Sequence, residues 1–282
     1  MNKKIVFLGA GSMAEALIAG MIKKGATLPG NLWVSNRSND KQLNRLKNQY
    51  GITSCRDMPS LLTDADIVLI AVKPKDVYTA LQQAKPYLKN TTLLISVAAG
   101  VSTKSLEAIL ENSMPIIRAM PNTSAAVGKS ATALSGNKFM LDEDLMLAKE
   151  IFNTVGMVVF TEEEKMDAVT GLSGSGPAYI YYLIEAMQHS AKEIGLEQQE
   201  AQSLIIQTLM GAAEMVHSSD KSPQILRYEV TSPGGTTEAG IRILEQHGVK
   251  EAFINCIKEA TLQSERMGKD LGNKIKEKIL FE

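Results

Sequence analysis

The chain has 282 residues, 44% of them hydrophobic and 22% charged, which suits about two globular domains. Its formal net charge of −1 excludes the strong basic bias of a nucleic-acid protein or a polybasic membrane binder. Cys55 and Cys256 are too distant in sequence for a metal-type pair, Lys3 and Lys4 are the only charged residues before the first apolar run, and no apolar stretch approaches ~18 residues, so the expectation is a cytoplasmic protein in a reducing compartment, without disulfide framework, signal peptide or membrane span.

The first half alternates between two periodicities. "KIVFLG" (4–9) is a continuous apolar run closed by glycine, as in a strand buried on both faces. "SMAEALIAGMIKKG" follows with helical spacing and ends on Gly25, a C-cap residue. The pattern repeats as strand 31–36, helix 41–51, strand 66–72, helix near 75–84, strand 91–99, helix near 103–111 and strand 115–120. "SATALSG" and "GMVVFT" add two more strand-like runs around the helix "DEDLMLAKEIFNTV". Alternation of this kind predicts right-handed βαβ units and an open, doubly wound sheet.

Beyond the charged turn "TEEEKMD" (161–167) only helical spacing remains, in segments at 177–195, 197–219 and 249–271. The expected fold is therefore an α/β, Rossmann-like domain over residues 1–162 and an all-α domain over 163–282.

"GAGSMA" sets Gly9, Gly11 and Ala14 in a G-x-G-x-x-A arrangement, with Ala10, Ser12 and Met13 between them, after a strand and before a helix. In that context glycines admit a pyrophosphate to the backbone and the free N–H groups of the helix start receive its charge. The packing-only alternative is weaker because this is the first strand-to-helix turn. At the end of the second strand an NAD site carries Asp or Glu for the ribose hydroxyls. Here Asn36, Arg37 and Ser38 stand there, and no carboxylate appears before Asp40. A guanidinium between an amide and a hydroxyl suits a 2′-phosphate, so the expected cofactor is NADPH, with NADH as a usable substitute. Ala71, Val72, Lys73 and Pro74 end a further strand, and "SVAAG" with Ala98 ends the next with small residues that leave room for a flat ring. Both strand ends point to the crevice where ligands bind in such sheets.

The helical half opens on "GLSGSGPAYIY", where Gly171, Gly174 and Gly176 allow close approach of backbone or ligand. In hydroxyacid dehydrogenases of this architecture a catalytic lysine follows such a stretch, whereas none occurs here between Lys165 and Lys192. "TSPGGTT" (231–237) then interrupts the helices with glycines and hydroxyl side chains. A turn of this kind leading into a helix near Thr236 exposes N–H groups that favour an anion, and Ser232 or Thr236 is the expected N-cap when no anion is bound. His189, His217 and His247 share no metal-ligand spacing, and the fourteen methionines read as core or interface filler.

Together "FLGAGSMAEAL", "AVKP", "RAMPNT", "GLSGSGPAYIY" and "TSPGGTTEAGI" closely resemble the pyrroline-5-carboxylate reductase family, in its order and spacing, over nearly the whole chain. The last two motifs are the specific ones. Met58 departs from the family, some of whose members place an asparagine there that reaches the cofactor. The resemblance implies reduction of the cyclic imine 1-pyrroline-5-carboxylate to L-proline by NAD(P)H. It further implies Ser232, Gly235, Thr236 and Thr237 as the cradle of the substrate carboxylate, and Thr237 as the hydroxyl that reaches the imine nitrogen. The helical domain becomes a dimerisation and substrate domain, and the implied assembly is a homodimer that can build rings such as decamers. Two other readings stay open: a reductase of another cyclic imino acid or small keto acid, and a protein that senses NADP without turnover. A carboxylate cradle is of no use to the last.

Overall fold

The computed structural model describes residues 1–280; the last two residues of the expected 163–282 domain lie outside them. In chain order the strands are β1 (Ile5–Leu8), β2 (Leu32–Ser35), β3 (Thr53–Ser54), β4 (Ile67–Ile70), β5 (Leu93–Ser96), β6 (Ile116–Met120), β7 (Ser130–Gly136) and β8 (Gly156–Phe160). Six helices are interleaved with them: α1 (Ser12–Lys23), α2 (Asp40–Tyr50), α3 (Met58–Leu62), α4 (Val77–Ala84), α5 (Thr103–Leu110) and α6 (Asp142–Asn153). Then follow α7 (Met166–Val169), a π turn at Thr170–Gly174, α8 (Gly176–Glu193), α9 (Gln198–Ser218), α10 (Pro223–Glu229), α11 (Thr236–Gln246) and α12 (Val249–Leu280).

The strands form one sheet in the order β3-β2-β1-β4-β5-β6-β7-β8. Consecutive side chains on a strand point to opposite faces, and the core divides accordingly. Ile5, Phe7, Leu69 and Ile95 join one cluster with residues of α1, α2 and α6, while Val6, Leu8, Val68 and Ile70 join another with residues of α3, α4 and α5. The continuous apolar runs of the sequence are thus strands covered on both sides.

Two features depart from the sequence reading. β7 runs antiparallel to β6, whereas every other paired strand is parallel. The link between them holds only a short 3-10 helix at Thr123–Val127, and a parallel crossover needs a dozen or more residues. The second departure concerns the ends of the helical half. By compactness the chain divides into Met1–Pro177 together with the chain from Lys258 onward, and Ala178–Ile257. The rear of α12 therefore belongs to the α/β unit, where Ile275 is buried in the second of its clusters.

The unit Ala178–Ile257 buries little on its own. Among its apolar side chains only Ala191, Ala201 and Ile205 are buried, while Tyr182 is 73% exposed and Leu204, Met210, Met215 and Tyr228 are also exposed. Exposed apolar surface of this extent marks an association face.

Leu69 is fully buried, with Phe7 and Ile95 as its register partners on the flanking strands. Leu69→Ala is expected to lower stability by about 2–5 kcal/mol, read as a lower urea midpoint with an unchanged slope.

Candidate active site

The strand order reverses direction between β1 and β4, and the crevice of about 450 Å³ found there is where the glycine motif lies. Gly9 leaves β1 with φ +115°, and a Cβ on it would stand 2.4 Å from the carbonyl oxygen of Ala71. Only glycine fits such an approach. Gly11 is the opposite case, since a Cβ there meets nothing within 4 Å. The space it leaves open faces the start of α1, whose N-cap is Gly11 itself, with no side-chain cap hydrogen bond. The first-turn N–H groups of Ser12 and Met13 are thus left to an anion. Ala14 is buried beneath them.

Gly9, Ala10, Gly11, Asn36, Arg37, Ser38, Ala71, Val72 and Lys73 all line this crevice. Pro74 opens the 3-10 turn beside it, and Ala98 is buried just past the end of β5; neither is part of the lining. Asn36 organises the turn after β2: its Oδ1 accepts from the N–H groups of Ser38 at 3.1 Å and Asn39 at 2.9 Å. Arg37 is thereby carried outward, its side chain 82% exposed and only 4.0 Å from the Asp76 carboxylate.

A second guanidinium at the same place was not foreseen. Arg56 lines the crevice, donates from Nε to the Asn36 carbonyl at 2.8 Å and pairs with Asp40 at 2.7 Å. It follows β3, a strand of only two residues, too short for alternation to reveal. Met58 lines the crevice as well, as the first residue of α3 after its Asp57 cap. Two guanidiniums lining one crevice, Arg37 after β2 and Arg56 after β3, suit a 2′-phosphate better than a bare diol.

The loop 231–237 is built in the other unit. Gly234 takes φ +71° and Gly235 caps α11, so the expectation that Ser232 or Thr236 would be the N-cap is corrected. The reason is geometric: the Gly235 N–H closes the turn on the Ser232 carbonyl at 3.0 Å, which brings that glycine to the cap position. No side-chain cap hydrogen bond is made, and Ser232, Thr236 and Thr237 are exposed. Glu238, which the sequence reading passed over, accepts from the Gly234 N–H at 2.8 Å. Glu238 thus occupies one N–H group of this turn. His189 is 3.3 Å from Glu193 one helical turn away, an exposed helix pair.

Comparison with known proteins agrees with both motifs. Residues 163–267 match the family model described as pyrroline-5-carboxylate reductase dimerisation, and residues 4–100 match that of NADP oxidoreductase, coenzyme F420-dependent. The chain is 45% identical to pyrroline-5-carboxylate reductase 2 of Bacillus subtilis, over 93% of this chain and 94% of that one. A pyrroline-5-carboxylate reductase structure from Coxiella burnetii superposes with TM-score 0.87 at 37% identity, covering 95% of this chain and 99% of that one. The pyrroline carboxylate reductase of Plasmodium falciparum, solved with NADP bound, also reaches TM-score 0.87, at 32% identity and 95% and 98% coverage.

The two glycines separate fold from binding. Gly9→Ala is expected to destabilise the ligand-free protein by more than about 1 kcal/mol, read by thermal unfolding. Gly11→Ala should leave that unfolding temperature unchanged and weaken NADPH binding roughly tenfold, about 1.4 kcal/mol, measured by cofactor fluorescence.

Proposed function

The chain belongs to the pyrroline-5-carboxylate reductase family, and on that footing we propose how its residues divide one reaction, the NADPH-dependent reduction of 1-pyrroline-5-carboxylate to L-proline. The observation that carries the division is a pair of helix starts without side-chain caps, α1 at Gly11 and α11 at Gly235. Each concentrates N–H groups and the positive end of a helix dipole. The first takes the cofactor pyrophosphate, with Arg37, Arg56, Asn36 and Ser38 around the 2′-phosphate and Ala71–Pro74 and Ala98 along the remainder of the cofactor. The second takes the substrate carboxylate through Ser232, Gly235, Thr236 and Thr237.

When bound, NADPH supplies the hydride. The chain's part is to hold the imine carbon within reach and to keep the nitrogen hydrogen-bonded, a role assigned to the Thr237 hydroxyl. No strong acid is required. A protonated imine is already an activated electrophile, and hydride addition moves its C=N electron pair to nitrogen and leaves a neutral amine. A carbonyl substrate would instead generate an alkoxide and call for a positioned Lys or His donor; the segment between Lys165 and Lys192 has no lysine. Positioning alone is worth several kcal/mol of barrier.

The exposed apolar side chains of Ala178–Ile257 support a homodimer through the helical half, residues 163–282, with ring assemblies such as a decamer built from dimers. No helix among the described residues is long and apolar enough to cross a membrane, and both cysteines are free, which supports the cytoplasm as its place.

The direct test is NADPH oxidation with 1-pyrroline-5-carboxylate, compared with NADH and with a small keto acid. The imine should be the preferred substrate, and absence of imine turnover would overturn the reading. Arg37→Ala should raise KM for NADPH roughly tenfold, the order of one charge-assisted hydrogen bond, and leave KM for NADH nearly unchanged; equal effects on the two would remove the 2′-phosphate assignment. Thr237→Ala should depress kcat on the imine while the NADPH dissociation constant stays put.

A further inference from the structure

Arg118 on β6 is a buried charge, its side chain only 4% accessible. Its Nη1 donates to Glu163 Oε1 at 3.0 Å and its Nη2 to Asp167 Oδ1 at 3.2 Å. Neither oxygen serves the arginine alone. Glu163 Oε1 also accepts from the backbone N–H of Thr103 at 3.2 Å, and Asp167 Oδ1 from the Ser264 hydroxyl at 2.8 Å. Thr103 is the first residue of α5, and Ser264 lies on α12. One turn beyond Ser264 is Gly268, where an added Cβ would meet the Gly100 carbonyl oxygen at 3.1 Å, while a Cβ on Gly100 would meet the Gly268 nitrogen at 3.4 Å. The loop 97–102 is thus tied to one guanidinium twice, at its exit through Glu163 and at its middle through Asp167, Ser264 and Gly268.

As a source of stability this cluster is poor. Arg118 Nε and Glu163 Oε2 are buried without a hydrogen-bond partner. Burial pushes the Glu163 carboxyl above its ordinary value, outweighing the pull of Arg118 in the other direction. Buried ion clusters with unsatisfied atoms are often matched or bettered by apolar replacements, so the benefit of this one lies in where it places its partners. What it places is the loop 97–102 at the end of β5, whose Val97 N–H donates to the Ile70 carbonyl at 3.1 Å, immediately before the crevice-lining Ala71. Ala98, assigned above to the flat ring of the cofactor, is carried on that loop, buried beside the lining.

We infer that Arg118 is a positioning residue for hydride transfer, holding the loop 97–102, with Ala98 on it, against the end of β4 through Glu163 and Asp167 so that the seat of the nicotinamide keeps its shape. This rests on the imine reduction and the Ala98 assignment proposed above. Arg118 touches neither substrate nor cofactor in this role; it acts through the loop.

A single substitution isolates the link. Thr103→Pro deletes the N–H given to Glu163, proline is favoured at the first position of a helix, and Ser102 already has φ −73°, ψ 156°, the extended conformation that a residue before proline requires. The expected result is an unfolding temperature and an NADPH dissociation constant near wild type. The single-turnover rate of imine reduction falls roughly ten- to hundredfold, the penalty of a small misplacement, and the isotope effect with NADPH deuterated at the transferred position becomes fully expressed on kcat. Glu163→Gln and Arg118→Lys, which keep size but lose a charge or the guanidinium fork, should show the same split. Wild-type single-turnover rates in Thr103→Pro and Glu163→Gln would overturn the inference, as would losses of rate matched by equal losses of stability and cofactor affinity. A wild-type protein inactive on the imine would bring down the functional reading and this inference with it, whereas an active wild type matched by Thr103→Pro brings down the inference alone.

Discussion

The approach of Gly9 to the carbonyl of Ala71 governs the front half of this protein. β1 and β4 are paired in register up to Leu8 and Ile70, and the two chains must then part company without a side chain between them. At Gly9 the distance a methyl would have to the Ala71 oxygen is 2.4 Å, so the backbone itself fills the gap that a crevice needs as its floor. From that floor α1 starts with its N–H groups uncovered on one side, and the turn 71–74 leads away on the other. The crevice is therefore a consequence of strand order plus one residue without a Cβ, and the polar groups that line it, Arg37 and Arg56 included, are added on top of that floor.

The rear half works under a different constraint. A helical unit that buries only three apolar residues and leaves Tyr182, Leu204 and Met210 exposed does not stabilise itself; its surface is that of half an interface. This explains why a region so rich in apolar residues still carries a polar turn such as 231–237. The helices must be held by association, and a turn fixed between two of them, α10 and α11, presents its N–H groups in one conformation without any metal or disulfide. Gly234 at φ +71° and the Gly235-to-Ser232 hydrogen bond set that conformation locally.

What could be read from the residues follows the strength of their periodicity. The apolar runs at 4–9, 66–72 and 91–99 became strands because they are covered on both faces, and the helices at 177–195 and 197–219 are long enough for their 3.6-residue spacing to be unambiguous. The crevice was legible because it depends on a local motif at a strand end. The direction of β7 was not, since it depends on the length of the link rather than on the strand's own residues. Arg56 escaped because β3 has two residues, and Glu238 because its role depends on an N–H four positions earlier. The cluster around Arg118 draws on β6, the segment 163–167, α5 and α12, parts of the chain up to 161 positions apart, counting from Thr103 to Ser264. No spacing rule connects residues that meet only after folding.

The same distinction separates two uses of charge in this fold. At the crevice the guanidiniums of Arg37 and Arg56 are exposed, and water solvates their charge. At Arg118 the guanidinium is buried with more carboxylate charge than it can neutralise, since two acids face one base, and burial drives Glu163 towards its neutral form. A recognition site gains from being loosely held, because desolvation is then met by ligand contacts. A positioning site gains from the reverse: strong, directional bonds to backbone and hydroxyl groups of separate elements leave few alternative arrangements. An imine reduction that supplies its own electrophile asks little of side-chain acidity and a great deal of geometry, and a buried cluster whose bonds run to the start of α5 and to α12, on either side of the loop 97–102, serves geometry and not acidity.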